Sequence, residues 1–108
     1  MRPPSETFTT VVLSTGHITK GTADALDEIV AMQASEKGQL DVEDWRYWLI
    51  ASRWSSYGWW VWANVEDGRD NMPADLIACL DYAREHGCRW ILFDCDGPLE
   101  RDLTRYDW

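Results

Sequence analysis

The segment PADLIACLDYAREHGCRWILFD, residues 73–94, predicts a helix followed by a strand. Pro73 suits a helix start, because its missing N–H loses no hydrogen bond there, and Gly87 favours a helix end. The apolar residues between them recur at helical spacing and form the expected buried stripe: Leu76, Ile77, Leu80 and Ala83. Residues 88–94 (CRWILFD) are mostly apolar and aromatic, which favours a strand, and the turn residues DGP at 96–98 end it.

Four further elements are expected upstream. Residues 7–14 (TFTTVVLS) and 57–65 (YGWWVWANV) are rich in β-branched or aromatic side chains and predict strands. A helix is expected from Thr22, whose hydroxyl can cap it, to a stop at Lys37-Gly38, with a buried face of Leu26, Ile29, Val30 and Gln33. Residues 39–56 favour a short turn or helical start, with Asp41 as a cap, and then a second strand.

The predicted order β-α-β-β-α-β is the signature of a ferredoxin-like sandwich. We therefore expect an α+β fold in which two helices cover one face of an antiparallel four-stranded sheet. Another α+β arrangement stays open, because the second strand has the weakest signal. Residues 1–6, with two prolines, are expected to form a disordered lead-in, and residues 7–108 a single α+β domain.

Composition restricts the classes of function. The 108 residues are 45% apolar and 27% charged, a globular mix, and the net charge of −9 disfavours contact with a nucleic-acid backbone or an anionic membrane. No stretch reaches the length of a membrane span and residues 1–6 lack the pattern of a secretory signal, so we expect neither. Three cysteines without a C-x-x-C pair favour small buried side chains in a reducing cytoplasm. We expect no metal and no cofactor.

Alternation along the strands predicts a second apolar surface. Helices on one side would cover Val61 and Ala63 together with Trp90 and Leu92. The opposite face would then carry Trp60, Trp62, Ile91 and Phe93, a patch that soluble monomers seldom leave bare. The slightly favoured cover is the chain's own end, residues 99–108, and the alternatives are a partner or a second copy.

Acidic residues form two clusters: residues 24–44 hold seven against Lys37 alone, and residues 66–81 hold five against Arg69. A solvated surface is the default explanation, and steering onto a basic partner is the functional one. The residues assigned to this partner-binding role are Asp24, Asp27, Glu28, Asp41, Glu43 and Asp44, with Trp60 and Trp62 as anchors.

An enzymatic alternative depends on the turn after the last predicted strand. Asp94-Cys95-Asp96-Gly97 resembles the D-x-D-G opening of haloacid-dehalogenase-type phosphatases, which implies a phosphatase-like hydrolase using Asp94 and Asp96, with His17 beside them. Pro98 departs from that pattern, and no later Lys or acidic motif follows to hold Mg²⁺ and phosphate. We therefore favour an Asx-type turn, and we expect no catalytic residues.

Several segments also resemble an uncharacterised family of small acidic proteins carried on plasmids, phages and integrative elements of proteobacteria. The resemblance lies in VVLSTGHIT (11–19), YGWWVW (57–62), residues 72–98 and the final YDW. It implies a mobile-element setting, in which small acidic proteins often counter host restriction or CRISPR systems, and it supplies no catalytic residues.

The leading hypothesis is a non-enzymatic, cytoplasmic interaction protein of a mobile genetic element. It would act as an anti-CRISPR or anti-restriction inhibitor by binding a basic protein partner, such as a host complex that handles nucleic acid, without touching nucleic acid or membrane itself. The alternatives are the small hydrolase described above and a structural homodimer formed through the open sheet face.

Overall fold

The computed structural model describes residues 4–108, in which strands and helices alternate in an α+β arrangement. The strands are β1 (Thr10–Ser14), β2 (Ala51–Trp54), β3 (Gly58–Trp62) and β4 (Trp90–Asp94), and the helices are α1 (Lys20–Ala31), α2 (Ala34–Lys37) and α3 (Ala74–Glu85). Short 3₁₀ turns occur at Thr15–His17, Trp45–Tyr47 and Arg69–Asn71. The predicted order of strands and main helices is confirmed, and α2 is an additional short helix.

The sheet is mixed, with the strand order β1-β4-β3-β2. β2, β3 and β4 pair antiparallel, but β1 runs parallel to β4, with Thr10 opposite Trp90 and Ser14 opposite Asp94. The prediction of an antiparallel, ferredoxin-like sheet is therefore wrong for this pair. Alternation along a strand indicates which of its residues share a face, but it does not indicate which strand is the neighbour. The residues of β4 are apolar on both faces, which suits its central position in the sheet.

One face of the sheet carries the core. α1 and α3 contribute Leu26, Ile29, Leu76 and Leu80 to the same buried cluster as Leu13, Trp59, Val61, Ile91 and Phe93. The prediction that Trp90 and Leu92 lie under the helices is wrong, because Ile91 and Phe93 are fully buried while Trp90 and Leu92 are only half-buried. The residues on both faces of β4 are apolar, so the hydrophobic pattern of this strand alone does not predict which face is buried.

The first helix begins earlier than expected and is interrupted. Thr19, rather than Thr22, is the cap, since its side-chain oxygen accepts a hydrogen bond from the Thr22 backbone N–H at 3.2 Å. α1 ends at Ala31, and the extended backbone at Met32 separates it from α2. The predicted run to Lys37-Gly38 is therefore two helices.

Residues 39–56 form a turn and then a strand, as favoured. Asp44, rather than Asp41, caps the 3₁₀ turn Trp45–Tyr47, because its Oδ1 accepts a hydrogen bond from the Arg46 backbone N–H at 3.1 Å. β2 follows at the edge of the sheet.

The C-terminal segment, residues 98–108, does not lie over the open sheet face. Its hydrogen bonds join it to the loop after β1: Ser14 N–H to Pro98 O, Tyr106 N–H to Gly16 O, and Trp108 Nε1–H to Ile18 O. Leu103 packs against the helix-side core. The slightly favoured prediction that residues 99–108 cover the second apolar surface is therefore wrong, because backbone groups at the end of β1 hold the segment elsewhere.

The predicted lead-in at residues 1–6 falls partly outside the described residues, since 1–3 are not described. Residues 4–9 contain no helix or strand, and Phe8 among them contacts Trp62. Within residues 4–108, no helix is long and apolar enough to cross a membrane.

Neighbouring residues of β4 provide a test of this arrangement. Replacing the fully buried Ile91 with Ala is expected to lower the free energy of unfolding by about 3 kcal/mol, because it leaves a cavity under the helices. The control Leu92→Ala, on the opposite face, is expected to cost about 1 kcal/mol. Urea denaturation measures both, and a larger loss for Leu92→Ala would contradict the assigned face.

Candidate functional site

The sheet face opposite the helices is lined by Phe8, Val12, Trp60, Trp62, Trp90 and Leu92, and we call it the aromatic face. Within the sheet register, Trp62 lies opposite Trp90 and Trp60 lies opposite Leu92. Side chains of directly opposed residues in neighbouring strands project to the same face and contact each other. Two strands that are distant in sequence therefore assemble one continuous apolar surface.

Edge-to-face contacts order the rings of the aromatic face. The Trp62 and Trp90 ring centroids are 5.0 Å apart with an interplanar angle of 71°, and Phe8 meets Trp62 at 5.4 Å and 83°. The Arg89 guanidinium carbon lies 5.2 Å from the Phe8 ring centroid. These are the separations at which aromatic and cation–π pairs attract, so the surface is held in a defined shape.

The aromatic face is open to solvent within the described part of the chain. Phe8 is 43% exposed and Val12 37%, while the three tryptophans are half-buried. None of these side chains belongs to the core cluster. A depression of about 250 Å³ lies between Trp60 and Trp90, with Thr10 and Ser52 at its sides. Contiguous apolar surface of this kind is typical of an interaction site.

The structure brings together the two predicted anchors and adds residues that the sequence did not reveal. Trp60 and Trp62 lie on the aromatic face, as expected. Trp90 and Leu92 join them in place of Ile91 and Phe93, and Phe8 joins from the segment assigned to the first strand. The sequence could not show that Trp90 shares the face of Trp60 and Trp62. That placement depends on the pairing register between β3 and β4, which strand alternation alone does not determine.

Four of the six predicted acidic residues are paired with cations of the same chain. Asp24 pairs with Lys20, Asp27 with Arg53, and Glu28 and Asp44 both with Arg46. Asp41 accepts a hydrogen bond from the Glu43 backbone N–H at 2.9 Å, and neither residue forms an ion pair with another described residue. These four pairs therefore reduce the negative charge presented near α1.

Asp27 and the tryptophan anchors lie on opposite sides of the sheet. Asp27 accepts a hydrogen bond from Trp59 Nε1–H at 3.0 Å, and Trp59 belongs to the buried, helix-side face. Trp60 and Trp62 alternate with it and point the other way. The predicted partner surface is therefore not a single patch.

Arg46 connects α1 to the turn before β2. Its Nη1 lies 2.5 Å from Glu28 Oε2 and its Nη2 lies 2.6 Å from Asp44 Oδ2, while Nε donates to Asp44 Oδ1 at 3.0 Å. The side-chain hydrogen bonds from Arg46 hold the pKa of Asp44 below its usual range, and those to Asp44 raise the pKa of Arg46. Such a bidentate pair is stronger than a simple surface ion pair.

The turn after β4 has the geometry of an Asx turn, which confirms the favoured interpretation. Asp94 Oδ1 accepts a hydrogen bond from the Asp96 backbone N–H at 3.0 Å, and Gly97 N–H donates to Asp94 O at 2.9 Å. Local desolvation and the neighbouring Asp96 and Asp94 carboxylates raise the pKa of the Cys95 thiol, which disfavours the nucleophilic thiolate.

His17 is buried and hydrogen-bonded to the C-terminal segment. It is 2% exposed, its Nδ1 lies 2.8 Å from Thr104 O, and its Nε2 accepts a hydrogen bond from the Glu100 backbone N–H at 2.8 Å. Both ring nitrogens are therefore engaged by the C-terminal segment. Nothing near His17 in the sequence indicates these contacts, because they depend on the return of residues 98–108 to this loop.

The cysteines show two environments. Cys79 and Cys88 are buried, as expected, and burial raises the pKa of the Cys79 thiol to about 12. Cys95 is exposed, so the prediction of a small buried side chain is wrong there.

Comparison with known proteins assigns the chain to a family. The model described as "Family of unknown function (DUF5983) C-terminal domain" matches residues 10–108, and the chain therefore belongs to that family. This agrees with the expected membership of an uncharacterised family. No curated protein and no solved structure matches the chain.

The Asp44–Arg46 pair predicts a pH-dependent contribution to stability. Because the folded-state pKa of Asp44 is lowered, its contribution is fully present above the usual carboxyl pKa near 3.8 and is lost as the pH falls through the lower folded-state value. Asp44→Asn is expected to cost about 1 kcal/mol at neutral pH and progressively less in acid. Chemical denaturation at several pH values measures this, with Asp67→Asn as the control. A cost that does not change with pH would contradict it.

The His17 contacts predict a second stability effect. His17→Phe keeps the ring volume but leaves the Glu100 N–H and the Thr104 carbonyl without partners, which is expected to cost about 2 kcal/mol. The exposed His86 offers the control His86→Phe, expected to change stability by less than about 0.5 kcal/mol. Equal effects in thermal or urea unfolding would show that the His17 hydrogen bonds do not fix the segment.

Proposed function

We propose that this member of the family is a non-enzymatic interaction protein that binds a protein partner with a basic surface. The observation that carries the proposal is the aromatic face: helices cover one side of the sheet, while no described element covers Trp60, Trp62 and Trp90 on the other. An ordered, uncovered cluster of tryptophans is expensive to leave in water and is the usual anchor of an interface.

The anchoring role falls to Trp60 and Trp62. The Trp60 ring, together with Trp90, borders a shallow depression rather than a deep cavity, which suits a protein surface better than a small molecule. Aromatic rings contribute large contact area with few rotatable bonds, so little entropy is lost when a partner orders them.

Charge supports a basic partner. The net charge of −9 gives a negative field around the whole molecule, and Asp41 and Glu43 add carboxylates that form no ion pair within the described residues. A long-range field accelerates encounter without direct contact, so acidic residues on the helix side can steer a partner that docks on the aromatic face.

The proposed setting follows the resemblance in the sequence. The protein would act in the cytoplasm of a bacterial host, as a product of a mobile genetic element. The partner would be a component of a defence complex, such as a CRISPR or restriction system, whose nucleic-acid grooves supply the basic surface.

Affinity capture from host lysate at two salt concentrations tests the proposal. The tagged chain is expected to retain a basic protein at low salt, and the double variant Trp60→Ala/Trp62→Ala is expected to lose it while keeping its circular-dichroism spectrum. Leu99→Ala, which removes from the C-terminal segment an apolar side chain that is more exposed (49%) than either tryptophan, is the control and is expected to retain the partner.

Kinetics with the captured partner separate the two roles. Asp41→Lys/Glu43→Lys is expected to slow association and reduce its salt dependence, while the tryptophan variant is expected to speed dissociation. Unchanged association after charge reversal would contradict steering. Dimerisation of the wild-type chain in sedimentation, abolished by the tryptophan variant, would instead assign the aromatic face to self-association.

A further inference from the structure

A cavity of about 460 Å³ lies on the helix side of the sheet, at the end where β1, β2 and β4 finish. Its walls include Asp27 of α1, Arg53 and Trp59 of the sheet, the β2–β3 turn at Tyr57, and Tyr106 and Trp108 of the C-terminal segment. The volume falls in the range of small-ligand sites. Crevices beyond the carboxyl ends of strands are common binding positions in α/β sheets.

The aromatic residues and one carboxylate converge on this cavity. Trp59 is buried in its wall, while Tyr57 and Trp108 are 53% and 58% exposed. Trp108 is fixed by the hydrogen bond from its Nε1–H to Ile18 O at 2.8 Å, so its ring is oriented and not loose. Aromatic rings grouped around a carboxylate are the usual means of binding an organic cation.

The chain itself shows how a guanidinium binds here. The Arg53 guanidinium carbon lies 5.5 Å from the centroid of a Trp59 ring, and Arg53 Nη2 lies 2.5 Å from Asp27 Oδ1. Asp27 Oδ1 also accepts the Trp59 indole hydrogen bond, whereas Oδ2 accepts none from the described residues. One carboxylate oxygen and the rings of Tyr57, Tyr106 and Trp108 are therefore left for a second cation.

The electrostatics disfavour an anionic ligand. Asp27 already neutralises Arg53, and the adjoining cavity beside Trp108 is lined by Asp96 and Asp107 with one cation, Arg105. The net charge of −9 adds to this negative field. A planar guanidinium suits the site better than a compact ammonium, because it can stack on a ring and hydrogen-bond to a carboxylate at once.

We propose that this cavity binds the guanidinium of an arginine side chain presented by the basic partner, with Asp27 Oδ2 as acceptor and Trp108 and Tyr57 as stacking surfaces. The proposal rests on the proposed function in one respect, that a basic partner supplies the arginine. The site itself is independent of the aromatic face, which lies on the other side of the sheet.

Titration with Nα-acetyl-arginine methylamide, followed by NMR at the indole N–H of Trp59 and Trp108, tests the site directly. Saturable shifts at these two signals are expected. The neutral isostere Nα-acetyl-citrulline methylamide is expected to cause none, because it lacks the charge that Asp27 and the rings recognise.

Two variants separate binding from folding. Asp27→Asn keeps an oxygen acceptor for the Trp59 indole but loses the charge, and it is expected to weaken binding about tenfold or more. Asp24→Asn, one turn earlier on α1, is the matched control and is expected to bind as the wild type does. Trp108→Leu removes a stacking ring without changing charge and is also expected to weaken binding.

Equal binding of the citrulline compound, equal binding by Asp27→Asn, or absence of saturable shifts in the folded wild type would overturn the proposal. The same experiments distinguish failure of the arginine site from failure of the proposed partner-binding function. Arginine binding without any captured partner would remove the interaction function and leave the site. A partner captured through the aromatic face, with no arginine binding, would remove the site and leave the function.

Discussion

Backbone hydrogen bonding along both edges of β4 is the constraint on which the rest of the structure depends. β4 pairs parallel with β1 and antiparallel with β3, so its polar groups are satisfied while its side chains are apolar on both faces. Gly58 allows the close approach to β3, since a Cβ there would lie 1.6 Å from the Phe93 carbonyl oxygen. This pairing places Phe93 under the helices and Trp90 beside Trp62. The register of β4 therefore determines the composition of both the core and the aromatic face.

Electrostatics divide the acidic residues between two roles. Asp27, Glu28 and Asp44 pair with Arg53 and Arg46, and these contacts attach α1 to β2 and to the turn before it. The field that could steer a partner therefore comes from the excess of nineteen acidic over ten basic residues in the whole chain rather than from one cluster. An acidic count along a helix does not distinguish carboxylates that hold the fold from those that face a partner.

Sequence patterns predicted the type and order of the helices and strands correctly, but they predicted less well which elements lie beside each other in the fold. Local rules account for the Pro73 start and Gly87 end of α3, for the β3 strand, and for the placement of Trp60 and Trp62 on the face opposite Trp59 and Val61, because each depends on adjacent residues. The parallel partner of β4, its buried set and the path of residues 98–108 depend on contacts between distant segments. The His17 ring binding Thr104 and Glu100 is the clearest case, since nothing near either end of the contact indicates it.

Helices cover one face of the sheet, and no described element covers the other. Hydroxyl-radical footprinting of the monomer, read by mass spectrometry at single residues, measures this most directly. We expect stronger labelling of Trp62, Trp90 and Leu92 than of Trp59, Ile91 and Phe93, which the helices protect. Labelling of Phe93 and Ile91 with protection of Trp90 and Leu92 would contradict it.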